Sequence, residues 1–132
     1  METRKIGSLQ VSVLGLGRNN FGWRIHAAAS AAVVDAAIDS GINFFDTADR
    51  YGKKVFTKKN LAVIEALIDF ATKRGRTILQ LAFSWLLAHK PIASVLADAS
   101  KPEQVRANAA AANWQLTSAE LAEIDSIVQG AG

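Results

Sequence analysis

The chain has 132 residues, half of them apolar, a net charge of +3 and no cysteine, which excludes disulfides and thiolate chemistry and predicts one globular domain over residues 1–132. A charged fraction of 20% and two prolines exclude extensive disorder. No apolar run approaches the roughly 20 residues of a membrane span and the start Met1-Glu-Thr-Arg-Lys has no signal-peptide core, so a cytoplasmic chain with no membrane partner is expected.

Arg4–Ser8 and Gln10–Leu16 read as a short hairpin or as two consecutive strands, closed by Gly15-Leu-Gly17. The polar Arg18-Asn19-Asn20 opens a loop. Ser30 to Ser40 reads as a helix with Val33, Val34, Ala37 and Ile38 on one face, Ser30 as its cap and Gly41 just past its end. Ile42–Thr47 then forms a buried strand, completing a βαβ unit. Lys53, Lys54, Lys58 and Lys59 make the one dense basic cluster. It reads as a solvated loop, and no nucleic-acid partner is expected, because such a partner needs basic residues along a whole face.

Leu61, Ile64, Leu67, Ile68 and Ala71 recur at helical spacing, and Gly75 stops that helix. Thr77 with Gln80 forms a capping box for a helix carrying Leu81, Trp85 and Leu87, which Pro91 ends. Ile92–Leu96 is a third strand. Ser100 with Glu103, and Pro102 in the first turn, predict a helix through Asn113; Thr117 with Glu120 predict another ending near Val128. His26 and His89 read as structural residues and no metal site is expected, since neither has a second ligand nearby in sequence. Trp23, Trp85 and Trp114 read as core or edge-covering residues.

Residues 43–52, Asn-Phe-Phe-Asp-Thr-Ala-Asp-Arg-Tyr-Gly, put a carboxylate at the end of an apolar strand and a phenol five residues later. Strand ends are where α/β folds place chemistry, and Asp46 and Tyr51 are both proton-handling groups. Asp46 also suits a helix cap or an ion pair, and Tyr51 an ordinary loop aromatic. Ser100 and Lys101 suit a helix cap and a solvated lysine as well as an anion site.

The strand-end motif, with Gly15-Leu-Gly17 and Pro102-Glu-Gln104, resembles the aldo-keto reductases, (β/α)8 barrels that reduce carbonyls with NADPH. Residues 1–52 are similar to the family's N-terminal hairpin, first two barrel strands and first helix; residues 55–130 are similar to its C-terminal end. The resemblance implies an oxidoreductase lineage, NADP(H) as cofactor and a small-molecule carbonyl substrate. It assigns Asp46 and Tyr51 to the catalytic set, and Ser100, Lys101, Gln104 and Asn108 to the adenosine phosphate. The family's catalytic Lys and His lie on strands without a counterpart in this chain, since a barrel needs on the order of 250 residues. Where relatives carry Pro-Gly, this chain has Ala97-Asp98, which sets a negative charge beside the phosphates; Arg18 offers partial compensation. The resemblance therefore implies vestigial nucleotide binding with little or no turnover; the alternative is a non-catalytic structural or interaction protein, or a shortened chain without activity.

The expected fold is α/β: about three parallel core strands in the order second–first–third, four to five helices, and an N-terminal hairpin. In such a sheet, helices kept on one face would make the second crossover left-handed, against a strong preference. A three-layer sandwich is therefore predicted, with the helices of residues 60–90 on the opposite face. An open barrel slice would leave strand faces bare and favour self-association.

Overall fold

The computed structural model describes residues 1–22, 24–47 and 58–130, with only the backbone of 58–60. Trp23, Tyr51, Lys53 and Lys54 lie outside the described residues. Strands β1 (Thr3–Ile6) and β2 (Leu9–Ser12) form an antiparallel hairpin with Ile6 opposite Leu9. Gly7, at φ +59°, takes the first position of its two-residue turn, where a side chain would be strained.

The core strand β3 (Leu14–Gly17) is a separate element, not the continuation of Gln10–Leu16 expected from the sequence. The break has a polar cause. The buried Ser12 hydroxyl donates to the Leu14 carbonyl (2.6 Å), and the Ser12 N–H donates to Asn43 Oδ1 (2.7 Å). Asn43 returns with its own N–H to Ser12 Oγ (3.1 Å) and Nδ2 to the Gln10 carbonyl (3.1 Å). These bonds pin the junction to the segment before β4, while Val13 N–H still reaches the Glu2 carbonyl (3.0 Å) and the Val13 carbonyl accepts from Val95 N–H (2.9 Å), so the chain passes here from the hairpin to the core sheet.

β3 is the centre of a three-stranded parallel sheet, flanked by β4 (Phe45–Asp46) and β5 (Val95–Asp98). The order second–first–third is the one expected. β5 begins three residues later than predicted, because residues 89–92 close a turn through Ile92 N–H to the His89 carbonyl (2.9 Å).

Five helices complete the described fold: α1 (Ala27–Asp39), α2 (Lys58–Thr72), α3 (Ile78–Ala88), α4 (Pro102–Ala111) and α5 (Ser118–Gln129). α1 starts before Ser30, whose N–H bonds the His26 carbonyl inside the helix; Ser30 is not its cap. Its far end matches expectation: Gly41 at φ +79° lets its own N–H reach the Ile38 carbonyl and Ile42 N–H reach that of Ala37. The capping boxes at Thr77–Gln80 and Thr117–Glu120 are both formed. The one expected at Ser100–Glu103 is not. The cap position of α4 is Lys101, without a side-chain bond, and Ser100 bonds Gln104 instead. α4 also ends at Ala111, short of Asn113.

The three-layer sandwich is overturned. α4 packs against both α1 and α3, and α3 against α2. One core joins Leu14, Leu16 and Val95 of the sheet to Val33 of α1, Phe83 and Leu87 of α3, and Val105 of α4. The helices that meet the sheet therefore share one face of it. Burial of Leu14, Leu16 and Val105, each about 1% exposed, stabilises this layer by about 1.5–3 kcal/mol per side chain. A second cluster (Phe70, Ala71, Leu81 and Ile124) ties α2, α3 and α5 together outside that layer. The other sheet face carries Gly15 and Leu96 side by side, with Leu96 42% exposed. The two crossovers step across the sheet in opposite directions on one face, so they have opposite hands, and one breaks the right-handed preference.

Candidate functional site at the strand ends

Three parallel strands end together, and their last residues form a row. Gly17 is in register with Asp46 on one side and with Asp98 on the other. Directly paired residues of parallel strands point to the same face, so both carboxylates stand on the face away from the helices. Two strand spacings of about 4.8 Å set their backbones roughly 10 Å apart. Both aspartates are exposed. The Asp98 carboxylate occupies the space over Gly17 where a Cβ would sit, so a side chain there would have to displace it. One position deeper, a Cβ on Gly15 would overlap the Leu96 side chain and press on the ring and carbonyl of Phe44.

The loop leaving β3 is fixed at its root. Arg18 N–H donates to the Asp46 carbonyl (3.0 Å), extending the ladder one step beyond β4, while the Arg18 side chain is exposed. The buried Asn20 accepts at its carbonyl from the N–H groups of Arg24 and Ile25 (both 3.1 Å).

Across the row, the turn between β5 and α4 gathers the other predicted residues. Gln104 Oε1 accepts from Ser100 N–H (2.8 Å) and from Ser100 Oγ (3.1 Å). The amide that would offer itself to an anion is thus already engaged within the turn. Pro102 at the first helical position has no N–H, and Glu103 adds a negative charge to the first turn. Lys101 is exposed at the cap position. Asn108 is buried and donates through Nδ2 to the Asp98 carbonyl (3.4 Å), so it braces the strand end from beneath.

Asp46 thus stands at the C-terminal edge of the sheet, and Ser100, Lys101, Gln104 and Asn108 cluster around the start of α4. Tyr51 lies outside the described residues. The sequence singles out Asp98 but not its seat over Gly17, nor the Ser100–Gln104 tie, for which the i, i+4 spacing of Ser and Gln across Pro102 is the available signal. Among the described residues, no group of three or more His, Cys, Asp or Glu could hold a metal ion. No helix among them is long and apolar enough to cross a membrane.

Comparison with known proteins matches the model of the Aldo/keto reductase family to residues 13–55 and 53–129. The L-glyceraldehyde 3-phosphate reductases of Escherichia coli O157:H7 and of strain K12 are each 40% identical over 73 residues, 54% of this chain and 21% of theirs. The uncharacterized oxidoreductase YrpG of Bacillus subtilis strain 168 is 42% identical over 60 residues, 46% of this chain and 17% of its own. The match thus spans about a fifth of the length of these relatives.

Proposed function

Since the chain belongs to the aldo/keto reductase family, we propose that it is a shortened member with a reductase-like strand-end platform, weak affinity for NADP(H) and little or no carbonyl turnover. The row Asp46–Gly17–Asp98 at the carboxyl edge of the sheet carries this reading. It supplies the position at which α/β folds do chemistry, together with one carboxylate of the family set.

The residues around α4 fit the adenylate half of the cofactor in part. Lys101 offers a cation and the helix start a favourable dipole. Against them stand Asp98, Glu103 and the engaged Ser100 amide. When bound, NADPH would supply a hydride to a small-molecule carbonyl. The family's catalytic Lys and His lie on strands without a counterpart in this chain, and this argues for low turnover.

Titration of the chain with NADPH, read by nucleotide fluorescence, tests the proposal. A saturable change below millimolar cofactor is expected, and a flat response removes the nucleotide site. In a carbonyl-reduction assay the expected rate is at or near background. Substantial turnover abolished by Tyr51→Phe would instead make the chain a working reductase.

A second reading, a non-catalytic interaction protein that self-associates, draws support from the bare sheet face. Parallel sheets are normally covered on both faces. Here Leu96 on the open face is 42% exposed.

A further inference from the structure

A cleft of about 270 Å³ opens at the opposite end of the molecule, between the N-terminal hairpin, α3 and the α4–α5 connection. Its walls are of two kinds. Val13, Leu87 and Leu116 are apolar, while Arg4, Ser84 and Asn113 bring hydrogen-bond donors. It shares no residue with the strand-end site.

Two observations mark this cleft as more than a packing gap. Ser84 is 3% exposed, and its Oγ has no hydrogen-bond partner. A buried hydroxyl without a partner is uncommon and unfavourable, and Ser84 is among the residues lining the cleft, where a small turn of its side chain would bring the hydroxyl to a ligand oxygen. Arg4, also in the wall, is held in place: Nη1 donates to the Ile92 carbonyl (2.8 Å) and Nε to Glu2 (3.2 Å). Those two bonds orient the guanidinium and leave Nη2 for a further acceptor. Its side chain is 29% exposed, so the charge is partly shielded from water.

The cleft thus sets an anchored guanidinium and a buried hydroxyl without a partner beside an apolar wall. Glu2 is the one acidic side chain in that wall; it is 60% exposed and tied to Arg4 by a single pair, so it can yield to a competing anion. We propose that this cleft binds a small organic acid, its carboxylate on Arg4 and Ser84 and its hydrocarbon part on Val13, Leu87 and Leu116. Carboxylate recognition by arginine is geometrically selective, which separates this ligand class from neutral molecules of the same shape.

Benzoate, with benzamide as its neutral counterpart, is the probe. Titration of the full chain is followed by amide chemical shifts. Benzoate is expected to give saturable shifts at Ser84 and residues 113–116, with benzamide at least tenfold weaker. Arg4→Met should abolish the response. Ser84→Ala should weaken it severalfold while removing the unpaired hydroxyl, and Glu2→Gln, which frees Arg4 without touching the core, should tighten it. Equal response to benzamide, shifts confined to residues 97–104, or indifference to Glu2→Gln and Ser84→Ala would each overturn the assignment. If Arg4→Met fails to fold, the Glu2→Gln and Ser84→Ala arms still decide.

Discussion

The Asp98 carboxylate fills the space that a side chain on Gly17 would need, so the strand end is shaped by one residue's absence of a Cβ and its neighbour's charge. The two core glycines differ in what opposes them. Gly17→Ala meets the end of an exposed side chain that can rotate away. Gly15→Ala meets the end of the Leu96 side chain and also, at 3.1 Å each, the ring and the backbone carbonyl of Phe44, and that carbonyl cannot turn aside. Gly15→Ala is expected to cost about 1–3 kcal/mol in urea denaturation, and Gly17→Ala less than about 1. Adding Asp98→Ala to Gly17→Ala should recover most of that smaller loss, and an equal loss in both single variants would contradict this account.

Charge at the same position bears on the proposed nucleotide site. Asp98→Gly removes a carboxylate beside the start of α4 and frees the backbone for closer approach. NADPH affinity should rise severalfold, and more at low ionic strength than at high, because the effect is electrostatic. A salt-independent change would assign it to shape alone.

The α5 start supplies a prediction in pH. The Glu120 carboxyl is held below its ordinary range of about 4.5, first by the hydrogen bond from Thr117 N–H and then by the Thr117 hydroxyl and Arg74. A lowered folded value means that its contribution to stability is complete above the unfolded value and is lost as pH falls through the folded one. Thermal unfolding between pH 6 and 3 should show this loss, and Glu120→Gln should flatten the curve below about pH 4.5. That variant keeps an acceptor like that of Gln80 in the α3 box, so its loss near pH 7 should be small. Thr117→Ala, which removes the cap itself, should cost about 0.5–2 kcal/mol at either pH.

The uncovered sheet face yields a test by mass. If copies associate through it, light scattering should show species heavier than 14.1 kDa, and Leu96→Lys should return them toward that value. Because Leu96 is 42% exposed, the substitution should leave stability nearly unchanged. A monomer in both forms would remove the association reading.

What could be read from sequence was what is decided locally. The boxes at Thr77 and Thr117 need only an acceptor three residues on, and both formed. Ser100 failed the same test because Gln104, one residue beyond Glu103, takes its N–H and shifts the cap to Lys101. The start of β5 was not legible, since Ile92 and Val95 are both β-branched apolar residues, and the turn closed at Ile92 together with pairing to β3 selects Val95. The helix arrangement is not legible for a related reason. Handedness is a preference of isolated crossovers, and here the burial of Phe83 and Leu87 in one core with Val105 outweighs it. The site residues were identifiable by type, but their engagement, Ser100 with Gln104 and Asn108 with the Asp98 carbonyl, depends on the turn between β5 and α4.

The unfavourable crossover belongs to the order in which the strands are strung and not to how they pack. Start the chain at α2 instead, let α5 lead into the hairpin, and finish at β4. The sheet is then visited β5, β3, β4, always stepping the same way across it with the helices on one face. Every crossover takes the same hand, although no contact has changed. A circular permutant opened between residues 47 and 58, with a linker joining residue 132 to residue 1, would thus separate the stability of this arrangement from the difficulty of threading it.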